Sequence, residues 1–215
     1  MRLARVSCLA LLLVSGAAAG SAQDAGEARA LVGQLGQFQP EIDGRIGNSG
    51  QRTPVEQRRE ATYVKLRGLG ARAIPALRQG LTDPDVRVRR NVALYLSFEG
   101  GNYAKHADVP LDVTPFLQQL VAALRDEDEW VSARSAQALG HAGAHAAVAV
   151  PDLVRLLQDR REGLRNSACI GLHGIGPAAR DALPALRRAL LDPSNNVRRF
   201  AQRAIDRIEP VKPGG

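Results

Sequence analysis

The sequence predicts an all-α fold, an α-solenoid of stacked helical hairpins, and three observations carry that expectation. Aromatic residues occupy only 4% of the 215 positions, too few for the strands of a sandwich or barrel. Hydrophobic residues at 45% and charged residues at 24% form an ordinary globular balance, which excludes a chain disordered throughout. The third observation is internal repetition. Four segments align on one aspartate: Leu81-Thr82-Asp83, Leu124-Arg125-Asp126, Leu157-Gln158-Asp159 and Leu190-Leu191-Asp192, with the aspartates 43, 33 and 33 residues apart. Five residues after each stands Val88, Val131, Leu164 or Val197, and thirteen after stands Leu96, Leu139, Leu172 or Ile205. Recurrence at such a period marks a repeat array.

Each unit reads as helix, tight turn, helix. Pro75, Pro151 and Pro184 lie eight residues before their aspartates, where a first helical turn loses nothing by the missing N–H. Pro115 departs, at eleven before Asp126. Leu77, Gly80 and Leu81, like Leu153, Leu156 and Leu157, follow a 3.6-residue period. Asp83-Pro84-Asp85 and Asp192-Pro193-Ser194 supply turn chemistry and helix caps. Gly140, Gly143, Gly174 and Gly176 are expected to stop the second helices. A degenerate unit precedes the four, over residues 27–37 and 55–69, giving about five repeats. The organisation is then a degenerate N-terminal repeat over 23–71 with an inserted loop at 38–54, four repeats over 72–209 with an inserted loop at 99–114, and a tail at 210–215. A lone hairpin cannot bury its apolar face, so the units stack into one continuous core. Arg203, Asp206, Arg207 and Glu209 make the last helix a polar cap. The second insertion carries Tyr103, Lys105 and His106 and is a candidate functional loop.

Residues 1–22 read as a secretory signal peptide. Arg2 and Arg5 precede an apolar run from Val6 to Ala19, and Gly20-Ser21-Ala22 offers a small-residue cleavage site before Gln23. The run is shorter than the roughly 20 residues a membrane span needs. Removing this segment, which holds two arginines and no acid, takes the formal charge from +7 to +5. The expected location is therefore the periplasm or cell envelope. Cys8 leaves with the segment, so Cys169 has no intrachain disulfide partner and reads as a core residue within an apolar helical pattern.

The repeats resemble the HEAT-like family, in particular its short bacterial variant first noted in phycobilin lyases. Leu172-His173-Gly174-Ile175-Gly176-Pro177 followed by Ala182-Leu183-Pro184-Ala185-Leu186 carries the resemblance, as does an arginine six residues after the turn aspartate. Asp83 and Arg89, Asp159 and Arg165, and Asp192 and Arg198 keep that spacing, and they are read as rungs of a structural ladder between repeats. Asp126 is followed by Ser132 instead, so one rung is missing. The resemblance implies fold and says little of activity. One enzyme branch of the family, the deoxyhypusine hydroxylases, holds di-iron through His-Glu dipeptides, and this chain has none. DNA glycosylases of similar fold exist. The export signal and the structural use of the ladder arginines argue against nucleic acid as a partner here.

No enzyme, cofactor or metal is expected. His141 and His145 have the i, i+4 spacing of a metal pair but sit among helix-breaking glycines without a third ligand. The run Asp126-Glu127-Asp128-Glu129 lacks the spaced ligands of a calcium loop and suits a helix N-terminus. No nucleophile elbow, P-loop or dinucleotide fingerprint is present. Counting 100° per residue from each turn aspartate places Arg87, Arg90, Leu94, Trp130, Gln137, Ile170, Arg199 and Arg203 opposite the apolar stripe of the second helices. In HEAT-like solenoids those helices line the concave surface. Tryptophan and arginine there suit a binding face for an acidic protein; the alternative is that Trp130 folds onto the next turn and Ile170 packs on a neighbouring helix. The sequence thus favours an exported, non-enzymatic interaction scaffold over a groove-less structural module of the envelope or an enzyme with an unrecognised site.

Processing is directly testable. Mass measurement of the protein recovered from its native cell is expected to find an N-terminus near Gln23, and full-length product in the cytoplasm would refute export.

Overall fold

The computed structural model describes residues 22–38, 53–101 and 110–210. The signal segment, most of the 38–54 insertion, and Tyr103, Lys105 and His106 lie outside them. All regular structure in the described residues is helical: α1 over 22–35, α2 Pro54–Leu69, α3 Ile74–Gly80, α4 Val86–Glu99, α5 Leu117–Ala123, α6 Glu129–His141, α7 Val150–Leu156, α8 Glu162–Ile175, α9 Leu183–Ala189 and α10 Asn195–Ile208. Short 3₁₀ segments Gly70–Ala73, Thr114–Phe116, Gly143–Ala149 and Gly176–Ala182 lead into α3, α5, α7 and α9.

The first helices of the four regular units have seven residues each, too short to persist alone. Their stability comes from burial. Leu77, Leu120, Leu153 and Leu186 are each at most 2% exposed, a contribution of about 1.5–3 kcal/mol apiece. Pro75, Pro151 and Pro184 sit in the first turns of α3, α7 and α9, and Pro115 lies in the 3₁₀ turn before α5. The second helices form the spine: α4 packs on α6, α6 on α8, and α8 on α10, whereas the short helices mainly contact their own partners and the 3₁₀ turns. The second helices α4, α6, α8 and α10 thus form one continuous face of the array, called the inner face below.

Glycine sets how tightly that spine closes. Gly140, Gly171 and Gly174 lie inside α6 and α8, and they are contact points where stops were expected at Gly140 and Gly174. A Cβ on Gly174 would stand 2.4 Å from the Gly140 carbonyl oxygen, and one on Gly171 would stand 2.5 Å from that of Ala136. The two backbones touch. Termination falls instead to Gly143 and Gly176, whose φ values of +55° and +68° are open to glycine at no steric cost.

Each turn is built on its aspartate. One carboxylate oxygen of Asp83, Asp126, Asp159 or Asp192 accepts the N–H two residues on, at 2.8–2.9 Å, closing an Asx turn. Asp85, Asp128 and Ser194 then cap α4, α6 and α10 through their side chains. The arginine six residues on runs two ways. Arg165 donates from Nη1 to the Asp159 and Arg160 carbonyls of its own turn, at 2.9 and 3.0 Å, and grips Asp192 of the next repeat through Nε and Nη2, at 2.7 and 3.0 Å. Arg89 does the same to the Asp83 carbonyl and the Asp126 carboxylate. Arg198 keeps only the backbone half, to Asp192 and Pro193. Where the arginine is missing, Ser132 donates to the Leu124 carbonyl at 3.0 Å, and a cleft of about 420 Å³ opens beside it. Asp159 is held instead by Arg161 of its own turn, which keeps its pKa down at about 2.

Two expectations follow. Arg165→Ala leaves Asp192, 8% exposed at its side chain, without its guanidinium and should cost about 1–3 kcal/mol, against less than about 1 kcal/mol for Ser132→Ala; equal shifts in denaturant midpoint would refute the ladder. The Arg165 bond also holds the Asp192 carboxyl below its ordinary pKa, so this contribution is present at neutral pH and lost only in acid. Gly174→Ala forces the α6–α8 contact apart and should cost about 1–3 kcal/mol, whereas Gly33→Ala, with nothing within 4 Å of the new Cβ, should gain about 0.5–1 kcal/mol; thermal melts of the pair decide.

Candidate concave binding groove

The inner face opens into a groove of about 400 Å³ across three second helices. Ser97 and Phe98 come from α4, Arg134, Gln137, Gly140 and His141 from α6, and Ile170, His173 and Gly174 from α8. The glycines give the floor its main-chain character, and the side chains form the rim.

Along α6 the rim is one connected set. The Arg134 guanidinium carbon lies 5.2 Å from the Trp130 ring centroid, within cation–π range. Arg134 donates from Nη1 to Gln137 Oε1 at 3.0 Å, and Gln137 passes the chain to Ser167 of α8 at 3.1 Å. His141 donates from Nε2 to the Ser97 carbonyl at 3.0 Å. Desolvation holds the His141 pKa below the usual histidine value; desolvation, then Arg207 and Arg203, do the same for His173. Both rings are therefore neutral at pH 7.

The sequence-derived binding residues divide. Trp130, Gln137 and Ile170 are half-buried on this face, with Ile170 and Gln137 in the groove itself. Arg199 and Arg203 are exposed on α10 and lie over Phe200 at 5.1 and 5.7 Å. Arg87 is bound to Asp85 beside its own helix start, and Arg90 to Asp128 of the next turn. Leu94 is 6% exposed and presents no surface to a partner. Phe98, Arg134, His141 and His173 were not among the residues picked from the sequence. The signal for Arg134 was its place one helical turn after Trp130, on the same face.

Other chemistry is limited. Cys169 is fully buried, its thiol 4.0 Å from the Val197 carbonyl, and burial pushes its pKa up to about 12, so it carries no thiolate at neutral pH. Asp126 and Asp128 of the acidic run are occupied by turn N–H groups and by Arg89 and Arg90. Among the described residues no three His, Cys, Asp or Glu side chains converge to hold a metal, and no helix is long and apolar enough to cross a membrane.

Residues 117–208 match the family of HEAT repeats. Among solved structures, a designed armadillo repeat protein in complex with the peptide (KR)4 is 21% identical, with a TM-score of 0.55 over 69% of this chain and 69% of that one. An engineered protein is 20% identical, with a TM-score of 0.55 over 87% and 91%. A computationally designed armadillo repeat protein for modular peptide recognition is 19% identical, with a TM-score of 0.55 over 87% and 98%. At these identities the likeness is one of fold. No curated protein matches the chain. Helix pairs stack through the described residues, and residues 117–208 of that stack match the HEAT repeats, so the fold is an α-solenoid of the HEAT-like kind.

Proposed function

We propose that this protein is an exported, non-enzymatic scaffold that binds an acidic protein partner on its concave face. A HEAT-like solenoid suits protein–protein interaction, and the designed armadillo protein of similar fold is complexed with a basic peptide, (KR)4. Here the inner face carries basic groups. The observation that carries the reading is the groove over α4, α6 and α8, whose lining contains Arg134, two histidines and no acid. Arg199 and Arg203 extend the positive surface along α10, and the half-buried Trp130 supplies aromatic area of the kind that anchors interfaces.

The test uses the mature protein and the partner recovered with it by crosslinking. Trp130→Ala is expected to weaken binding by about 2 kcal/mol at every ionic strength, because apolar burial is not screened. Arg199→Ala and Arg203→Ala should mainly slow association, an effect that fades as the Debye length falls from about 10 Å at 0.1 M to about 3 Å at 1 M salt. If all three bind like the parent while changes in the 99–114 loop abolish binding, the concave-face reading is wrong.

A further inference from the structure

Arg134 differs from the arginines around it. Arg89 is paired with Asp126, Arg90 with Asp128, Arg125 with Asp152, Arg161 with Asp159 and Arg165 with Asp192. Arg134 is half-buried, yet among the described residues no carboxylate pairs with it. Among the described residues its one hydrogen bond goes to the neutral Gln137, and its guanidinium carbon lies over the Trp130 ring. Desolvation is the first cause that lowers its pKa, the mark of a charge whose water has been removed without a counter-ion in return. Among the described residues Tyr63 is the one other group acting on that charge.

The surroundings fix what would satisfy it. One N–H is used by Gln137, so the guanidinium keeps an edge for two parallel hydrogen bonds, the geometry that matches a carboxylate. The cation–π contact with Trp130 and the Gln137–Ser167 link hold it in place from α6 to α8. Phe98, 44% exposed, and Ile170 stand in the same groove as apolar seats. Arg203 and Arg207 act on His173 at the far edge, so the field on an incoming group is positive from that side too. The floor is main chain at Gly140 and Gly174, which lets an extended peptide lie close.

We propose that Arg134 is the anion-binding centre of the groove and takes an aspartate or glutamate side chain of an extended partner segment, with a neighbouring apolar side chain seated against Phe98 and Ile170. The proposal rests on the concave-face reading above and narrows it to one residue and one ligand chemistry. Trp130 is then a positioning residue for the guanidinium as well as contact area. Neutral His141 and His173 add hydrogen-bonding capacity without charge.

The experiment measures binding of two end-blocked octapeptides, (Glu-Leu)4 and (Gln-Leu)4, by calorimetry at low salt to the purified mature chain. The parent is expected to prefer the Glu peptide by about tenfold or more, as a bidentate charge-assisted contact provides. Arg134→Gln should erase that preference, and Arg199→Gln, which removes the same charge from the exposed end of the array, should keep most of it. Circular dichroism and melting confirm the fold of each variant. If Arg134→Gln does not fold, Arg134→Lys replaces it, since the charge remains and the fork is lost; a several-fold drop in the preference supports the assignment, and an unchanged preference overturns it. A preference that survives Arg134→Gln overturns the Arg134 site while leaving an acidic partner for the face as a whole. A parent that does not distinguish the two peptides overturns both.

Discussion

Each turn of the four regular repeats hangs on one aspartate carboxylate, and two of those carboxylates have divided duties. One oxygen of each turn Asp closes its own turn, and in two of the repeats the carboxylate also accepts the arginine of the repeat before it. Local and inter-repeat geometry are thereby tied to the same atoms. The tie fixes where the second helix starts, and with it the register at which α6 meets α4 and α10 meets α8. The hydrophobic core supplies most of the stabilisation, but apolar contact alone permits sliding. A bidentate Arg–carboxylate pair has a direction and a length, so it selects one stacking among several that the leucines would tolerate.

The seam between α6 and α8 is made differently. Ser132 stands where the ladder arginine would be, and Asp159 turns to Arg161. On the inner side the same two helices meet through Gly140, Gly171 and Gly174. Spacing there is set by main chain against main chain, which is stiffer than any side-chain contact because nothing can rotate away. The groove lies over this seam, so its floor is defined by a main-chain contact.

Much of this was legible in the sequence. The recurring Asp, the Leu two before it and the proline of the first helix gave the helix pairs, because each of those residue types has one dominant use at its position. The missing rung showed as Ser132. Glycine was harder: it stops helices by adopting positive φ and joins helices by lacking a Cβ, and only the fold separates Gly143 and Gly176 from Gly140 and Gly174. The residues on the side of the second helices that carries the groove were partly legible. A count of 100° per residue found Trp130, Gln137 and Ile170, but it could not see that α4 is enclosed enough to bury Leu94, or that Arg87 and Arg90 already have carboxylates. Arg134 could be placed beside Trp130 by the same count, but that no carboxylate among the described residues pairs with it leaves no pattern in a sequence.

The contact at Gly174 and Gly140 also separates what can vary from what cannot. A substitution at either floor position changes the distance between two repeats and so the shape of the whole array. The side chains of Phe98, Arg134 and His173 stand on the rim, outside that contact. Selection acting on such a surface can rewrite its ligand preference in single steps, while the architecture that presents it is inherited unchanged.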